Sequence, residues 1–376
     1  MDARQRRRAG TWRGLDAAAE KRALRWLERL QAFDGFLGGF EESPLMAGVV
    51  AYGLARAGVR GPVLDRCCKF LLATRRPDGS WPVNRDLEIS ATLALASGLK
   101  ATGCATDAGL LPTRDWIMNR QRREGLFVTG TGSGGWAWSS PSGWPNSDDT
   151  SCALIALRKL GVAPGDPVIQ TGVRFLRRMQ GLSGGWACFV RSRRVSLDRP
   201  CPVFTAHALE ALAAVGTGAK HRAVRRGLRH LSAVQRPDGS LQALWYVGAT
   251  AGTAAAITAF ACFGRSDDDV PRRCVDWLLR NQRADGSWNG GGGDASSVEE
   301  TSWALAALLA ARVPANDSST RRAAAWLVDR QLPSGGWPPS LVGVYFPSLL
   351  YYDDQIATGL VLQSLGRYQS ELVRAA

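Results

Sequence analysis

Two adjacent carboxylates, Asp148 and Asp149, stand at the head of the Ala/Leu-rich run "SDDTSCALIAL", and His207 lies inside a second such run, "PVFTAHALEAL". A carboxylic acid held against a neutral imidazole in a dry space is a way to keep and tune an acidic proton. Each residue also has a plainer use. Acids at a helix start cap free N–H groups at the positive end of the helix dipole, and a His in an apolar helix is commonly a satisfied core residue. The argument for chemistry is their joint placement on neighbouring units. Between Gln121 and Asp148 runs the longest insertion in the chain, "TGTGSGGWAWSSPSGWPN", carrying Trp136, Trp138 and Trp144. Long loops in compact domains are often functional, and an indole face attracts positive charge without offering a reactive lone pair. An acid beside such a surface suits a cationic intermediate.

The elements that must position these residues belong to a repeat. One phrase recurs along the whole length: an apolar-periodic helix ending in Leu and Gln, a turn of Pro, Asp, Gly and Ser, an aromatic, then a helix rich in Ala and Leu. Clear copies are "FLLATRRPDGSW", "FLRRMQGLSGGW", "WLLRNQRADGSW" and "WLVDRQLPSGGW"; degenerate copies bring the total to seven, anchored at Gln31, Arg75, Gln121, Gln180, Gln235, Gln282 and Gln331. Each spacing has room for two helices and two connections. Strands have no place in this pattern. First helices such as "TRRAAAWLVDRQ" carry a charged face, whereas second helices such as "TSWALAALLAA" are apolar nearly all round and therefore buried. The expected fold is all-α, a closed (α/α)6-type barrel of about seven hairpins, with second helices as the inner ring and first helices as the outer. An open solenoid shares the same period.

Aligning the inner helix starts shows what each unit has changed. Asp148 is matched by Leu87, Val203, Ala251 and Glu299, and four residues further on Cys152 is matched by Ala91, His207, Ala255 and Trp303. His207 thus stands one turn deeper on the inner helix next to that of Asp148, within its reach. Glu88, Glu299 and Glu300 also open inner helices, where they cap the helix or else shape termination or assist the acid, Glu88 and Glu299 as substrate-binding groups.

These motifs resemble a family. "QRADGSW" resembles the QW repeat of squalene-hopene cyclases and other class II, protonation-initiated terpene cyclases. "GGWAWSSPSGWPNSDDTSCALIAL" resembles their DxDD acid motif with its preceding GGWAF segment, and "FTAHALEAL" resembles the element supplying the acid's His partner. "PDGSLQALWYVGATAGT" and "VGVYFPSLLYYDDQIATGLVLQSLGRYQ" resemble two further family segments. The resemblance implies that Asp148 donates the proton with Asp149 as its neighbour, that His207 activates it, and that Trp245 and Phe346 line the pocket; Trp138, Trp144 and Trp303 join them as aromatic lining. Two positions depart from the family. The first Asp of the motif is Asn146, and the family's acid four residues before the His is Val203. The chain matches only the acid-bearing barrel.

The implied activity is protonation of the terminal alkene or epoxide of a linear polyprenyl substrate (a prenyl diphosphate or a prenylated aromatic), followed by cyclisation through carbocations. Such protonation requires no cofactor and no metal ligand set. Where the substrate is a diphosphate, Mg²⁺ and the arginine excess would hold its anionic end. Lys and Arg outnumber Asp and Glu by 47 to 33, which brings phosphate, acidic lipid and nucleic acid into consideration as partners. The concentration of unusual residues at one barrel mouth favours a linear isoprenoid over nucleic acid. Eight scattered cysteines without a CxxC pair fit reduced thiols. Without an 18-residue apolar run or a signal peptide the expectation is a cytoplasmic protein, with peripheral membrane contact left open. Residues 1–20 read as a basic lead-in and 21–376 as one α/α-barrel domain. The rivals are a zinc protein-prenyltransferase-like barrel, whose Asp and Cys stand two apart where Asp149 and Cys152 stand three apart, and a non-enzymatic helical repeat scaffold.

Overall fold

The computed structural model describes residues 13–34, 39–40, 42–77, 79, 81, 87–127, 129–140, 143–191, 198–290, 295–346 and 349–375. Of the lead-in at 1–20, residues 1–12 lie outside the described residues and helix begins at Arg13. The contacts group into two compact units, Met1–Leu87 with Ser139–Gly143, and Glu88–Trp138 with Trp144–Ala376. The first unit holds α1 (Arg13–Asp34), α2 (Pro44–Arg56) and α3 (Pro62–Thr74), with α3 packed on both of the others. The side-chain amide of Gln31 joins α1 to α3, donating to the Val63 carbonyl at 3.2 Å and accepting from Arg66 Nε at 2.6 Å.

The second unit alternates inner and outer helices. Its inner members are α4 (Glu88–Thr102), α6 (Ser147–Lys159), α8 (Pro202–Ala214), α10 (Thr250–Ala261), α12 (Val298–Ala310) and α14 (Asp354–Ala375); between them come α5 (Leu111–Asn119), α7 (Pro167–Met179), α9 (Arg222–Val234), α11 (Asp269–Arg280) and α13 (Ser318–Val328). Each inner helix packs on the next, and α14 returns to pack on α4. The ring is therefore closed by six inner helices, so the barrel reading holds and the open solenoid does not. Closure depends on small residues. A Cβ on Gly359 would lie 2.6 Å from the Ala94 backbone, and one on Gly366 2.5 Å from that of Ala101, so α14 and α4 meet backbone to backbone.

The repeat's Gln and Trp are the fasteners of this ring. Gln180 donates to the carbonyls of Gly184 at 2.8 Å and Ala223 at 2.9 Å, tying its own turn to the first turn of the next outer helix. Gln121, Gln235 and Gln282 do the same with Gly134 and Val168, Gly239 and Val270, and Gly286 and Ser319. The indole N–H groups of Trp136, Trp186, Trp288 and Trp337 donate to the carbonyls of Ile117, Leu176, Leu278 and Leu327 near the ends of the preceding outer helices. Gly184 turns at φ +94° and lies so close to Arg226 that a Cβ would stand 2.3 Å from its carbonyl oxygen. Only glycine meets both demands.

The fold is all-α as expected, with one short hairpin outside the helical repeat. Gly343–Phe346 (β1) and Leu349–Tyr351 (β2) pair antiparallel, and Val344 and Val247 tie this hairpin to the segment before α10 by backbone bonds of 2.9 Å. Its Val, Tyr, Phe and Leu residues favour extended backbone. The helical repeat masks that short run in the sequence. Among the described residues, no helix is long and apolar enough to cross a membrane.

Candidate active site

Helix α6 begins where Asn146, extended at φ −140° and ψ 169°, caps it by accepting the Asp149 N–H at 2.8 Å. The insertion before it is strapped to this helix head: Asn146 N donates to the Trp136 carbonyl at 3.0 Å, and Trp136 N donates to Thr150 Oγ1 at 2.9 Å. Capping fixes the two acids differently, because Asp148 and Asp149 are the second and third helical residues and project about 100° apart.

Asp149 turns into the scaffold. Its Oδ2 accepts from Asn146 Nδ2 and its Oδ1 from Ser90 Oγ of α4, both at 2.6 Å. Burial, and then the neighbouring Asp148 charge, push its pKa up to about 6 against the pull of those two donors. Asn146 thus serves Asp149 as donor and the helix as cap, a dual role the substitution of the motif's first acid makes available.

Asp148 turns instead toward α8, where its Oδ1 meets His207 Nδ1 at 2.6 Å. The His207 side chain keeps 27% and that of Asp148 22% of their surface accessible. Burial disfavours the imidazolium, but the adjacent Asp148 carboxylate outweighs it and the His207 pKa is raised well above its ordinary value. The 2.6 Å contact suits an Nδ1–H donating to Oδ1. Among the described residues, Oδ2 of Asp148 has no hydrogen-bond partner. One turn below Asp148, Cys152 Sγ lies 4.0 Å from the same Nδ1, and one ligand atom from each of Asp148, Cys152 and His207 falls within 4.8 Å of the others. The register argument paired Cys152 with Asp149; the helix pairs it with Asp148.

Three of the tryptophans singled out in the sequence converge on one ring. Phe189 stands edge-on to Trp138, Trp144 and Trp245 at centroid distances of 5.8, 6.1 and 5.9 Å. The sequence reading missed Phe189, whose signal was an aromatic three residues after the repeat Trp186. Its loop is pinned by buried Asp198, which accepts the N–H groups of Cys188, Phe189 and Val190 at 2.7–2.8 Å. Trp303 packs edge-on to Tyr246 at 5.1 Å, apart from that cluster. Tyr246 and Tyr351, also missed, stand close enough to the acid that, after burial, the Asp148 charge is the next influence raising both phenols. Phe346 ends β1, and its side chain lies outside the described residues.

The glutamates are placed otherwise. Glu88 opens α4 two residues before Ser90 and makes no hydrogen bond among the described residues. Glu299 accepts from Ser340 N at 2.9 Å and Ser297 Oγ at 2.8 Å, and Glu300 from Gly290 N and, at 3.3 Å, Thr250 Oγ1. Both are buried, at 2% and 3% exposure. A cavity of about 430 Å³, lined by Arg312, Arg367 and Arg374 among others, lies at the C-terminal ends of α12 and α14 and includes none of the residues above.

Residues 91–370 match the model of the squalene-hopene cyclase C-terminal domain. The chain belongs to the squalene-hopene cyclase family. It is 27% identical over 400 residues to a squalene-hopene cyclase of Alicyclobacillus acidocaldarius, across 95% of this chain and 62% of that one. The chain thus spans less than two thirds of that relative's length. Its fold is shared with ent-copalyl diphosphate synthase from Streptomyces platensis (TM-score 0.62, 22% identical, 83% of this chain and 56% of that one). It is shared too with a variant of the type II terpene cyclase MstE from Scytonema in complex with geranylgeranyl dihydroxybenzoate (TM-score 0.58, 18% identical, 75% and 88%).

Proposed function

We propose that this squalene-hopene cyclase family member is a class II cyclase, in which Asp148 protonates the terminal alkene or epoxide of a linear polyprenyl substrate. The observation that carries the reading is the 2.6 Å contact between Asp148 and His207, which joins two neighbouring inner helices. With Nδ1–H donating to Oδ1, Oδ2, unpartnered among the described residues, is the oxygen left to carry and deliver the proton. Asp149 does not compete for that role, since both its oxygens are engaged.

Transfer of the Oδ2 proton to the CH carbon of the terminal trisubstituted alkene leaves a tertiary cation on its dimethyl carbon and a carboxylate next to His207. Each internal alkene then attacks the cation in turn, and loss of a proton or capture of water ends the sequence. Ring closure needs the alkenes held near contact distance, an entropic task for pocket shape. The faces of Trp245, Trp138, Trp144 and Phe189 supply fixed quadrupoles for the moving charge. Protonation is within the means of the Asp148 and His207 pair. Mg²⁺ enters only for a diphosphate head group, as counter-ion to its oxygens.

Two substrate classes are favoured over squalene: prenyl diphosphates, by the likeness to ent-copalyl diphosphate synthase, and prenylated aromatics, by the likeness to the complex with geranylgeranyl dihydroxybenzoate. The test is incubation of the purified protein with farnesyl and geranylgeranyl diphosphate, a geranylgeranylated dihydroxybenzoate and squalene, with and without Mg²⁺, with product identification by mass spectrometry. A cyclic product from at least one, absent in Asp148→Asn, is expected. Turnover undiminished in that variant would place the acid elsewhere.

A further inference from the structure

The convergence of three unlike ligands beside the acid has a use that proton transfer leaves unassigned. Asp148 and Cys152 stand four residues apart on the same face of α6, and His207 presents one nitrogen, Nδ1, to both of them from the adjacent helix α8. The three ligand atoms lie within 4.8 Å of one another. The geometry points to a zinc site at Asp148, Cys152 and His207, one whose occupation takes the acid out of service.

Bond lengths test the fit. With Zn–N and Zn–O of about 2.0–2.2 Å and Zn–S of about 2.3 Å, tetrahedral coordination sets neighbouring ligand atoms roughly 3.3–3.7 Å apart. The Oδ1 to Nδ1 distance of 2.6 Å would open, and the Sγ to Nδ1 distance of 4.0 Å would close, each by less than about 1 Å. Side-chain rotation supplies such changes without moving either helix. Donor chemistry selects the metal: a thiolate and an imidazole suit Zn²⁺ or Co²⁺ and not Mg²⁺ or Ca²⁺. Charge is balanced as well, since one carboxylate, one thiolate and a neutral imidazole neutralise Zn²⁺ where a net charge would be expensive. Three protein ligands leave the fourth position to water, the arrangement of an open zinc site.

Binding is a coordination step that releases protons. The Cys152 thiol, whose pKa burial raises, gives up its proton, Nδ1 gives up the one it holds toward Asp148, and the protonated acid gives up the one on Oδ2. Oδ1 passes from accepting that proton to binding metal. The carboxylate is then neutralised by the ion and carries no acidic proton for an alkene. Metal binding stands on the geometry alone. Its effect on turnover rests on the role proposed for Asp148.

Co²⁺ is the probe, because thiolate ligation gives it a charge-transfer absorption in the near ultraviolet. Chelator-treated full-length protein titrated with Co²⁺ should develop that band to one equivalent, and Zn²⁺ should abolish it by displacement. Cys152→Ser should lose the band. His207→Ala should bind Zn²⁺ at least about 100-fold more weakly, since loss of a mere outer partner of a metal ligand already costs roughly 10–100-fold. Circular dichroism establishes that each variant is folded. One equivalent of Zn²⁺ should suppress cyclisation, and chelator should restore it. Absence of the band in the folded wild type, or its persistence in Cys152→Ser, overturns the site. Cyclisation without the band sinks the zinc site alone, whereas a band without turnover of any substrate keeps the site and sinks the cyclase reading.

Discussion

On α6, Asn146 is the cap and Asp148 and Asp149 occupy the second and third helical positions; on α12, Ser297 is the cap and Glu299 and Glu300 stand in those same places. In both, the third-position N–H is accepted by the cap side chain, and the third-position carboxylate is buried against the scaffold with its pKa raised. The difference lies in the second position. Glu299 is held by Ser340 N and Ser297 Oγ, whereas Asp148 meets a titratable side chain and keeps one oxygen unpartnered. A carboxylate saturated with fixed donors is a strut. One that faces an imidazole and keeps an oxygen unpartnered can exchange a proton. The side chain that makes the difference, His207, belongs to the neighbouring helix and not to either acid pair.

Four substitutions break or sharpen that contrast, beginning with the largest effect. Asp148→Asn should lower product formation by at least about 10³-fold, within the range for removing a positioned acid, with the circular dichroism spectrum and Tm close to wild type. Loss of fold instead would make Asp148 another strut. His207→Asn should cost about 10²-fold and move the pH profile of kcat, which a purely structural role would leave in place. Asp149→Asn keeps one acceptor oxygen, for Ser90, loses the one that accepts from Asn146, and should reduce turnover by about tenfold or less; a loss as large as that of Asp148→Asn would exchange the roles of the two acids.

The smallest effect on activity belongs to Glu300→Gln, whose consequence is for stability. Its carboxyl is pushed up to about 7 from an ordinary 4.5, first by burial, against the pull of Gly290 N and Thr250, with Glu299 adding to the rise. A group raised on folding contributes stability that is complete below its unfolded pKa and is lost as pH rises through the folded one. Wild type should therefore lose on the order of 3 kcal/mol from this group between about pH 4.5 and 7. Urea unfolding across that window should show a flatter profile in Glu300→Gln, with turnover unchanged within about twofold. A profile as steep as wild type would remove the buried carboxyl as its cause.

The repeat was legible because its purpose is local. Gln180 closes its own turn, and Trp186, Trp288 and Trp337 each return to a carbonyl ten residues back, so spacing and residue type suffice to read them. The pairing of Asp148 with His207 was legible for a related reason: positions one turn apart on successive inner helices come within reach once the repeat is aligned. The β1–β2 hairpin, Phe189, Tyr246 and Tyr351 were not, because they reach the site from loops that have left the repeat.

The sequence by itself determined the alternation of charged and apolar helices, the turns that join them and the column in which the acid stands. It did so because those features depend on contacts within one unit or between one unit and the next. Only the tertiary structure decided which acid is free. It closed α14 onto α4, turned Asp149 into Ser90 and Asn146, left Oδ2 of Asp148 unpartnered and brought Cys152 to the same nitrogen as Asp148. A rotation of about 100° between consecutive helical residues has no consequence until something stands on either side, and that is set by the packing of the whole ring.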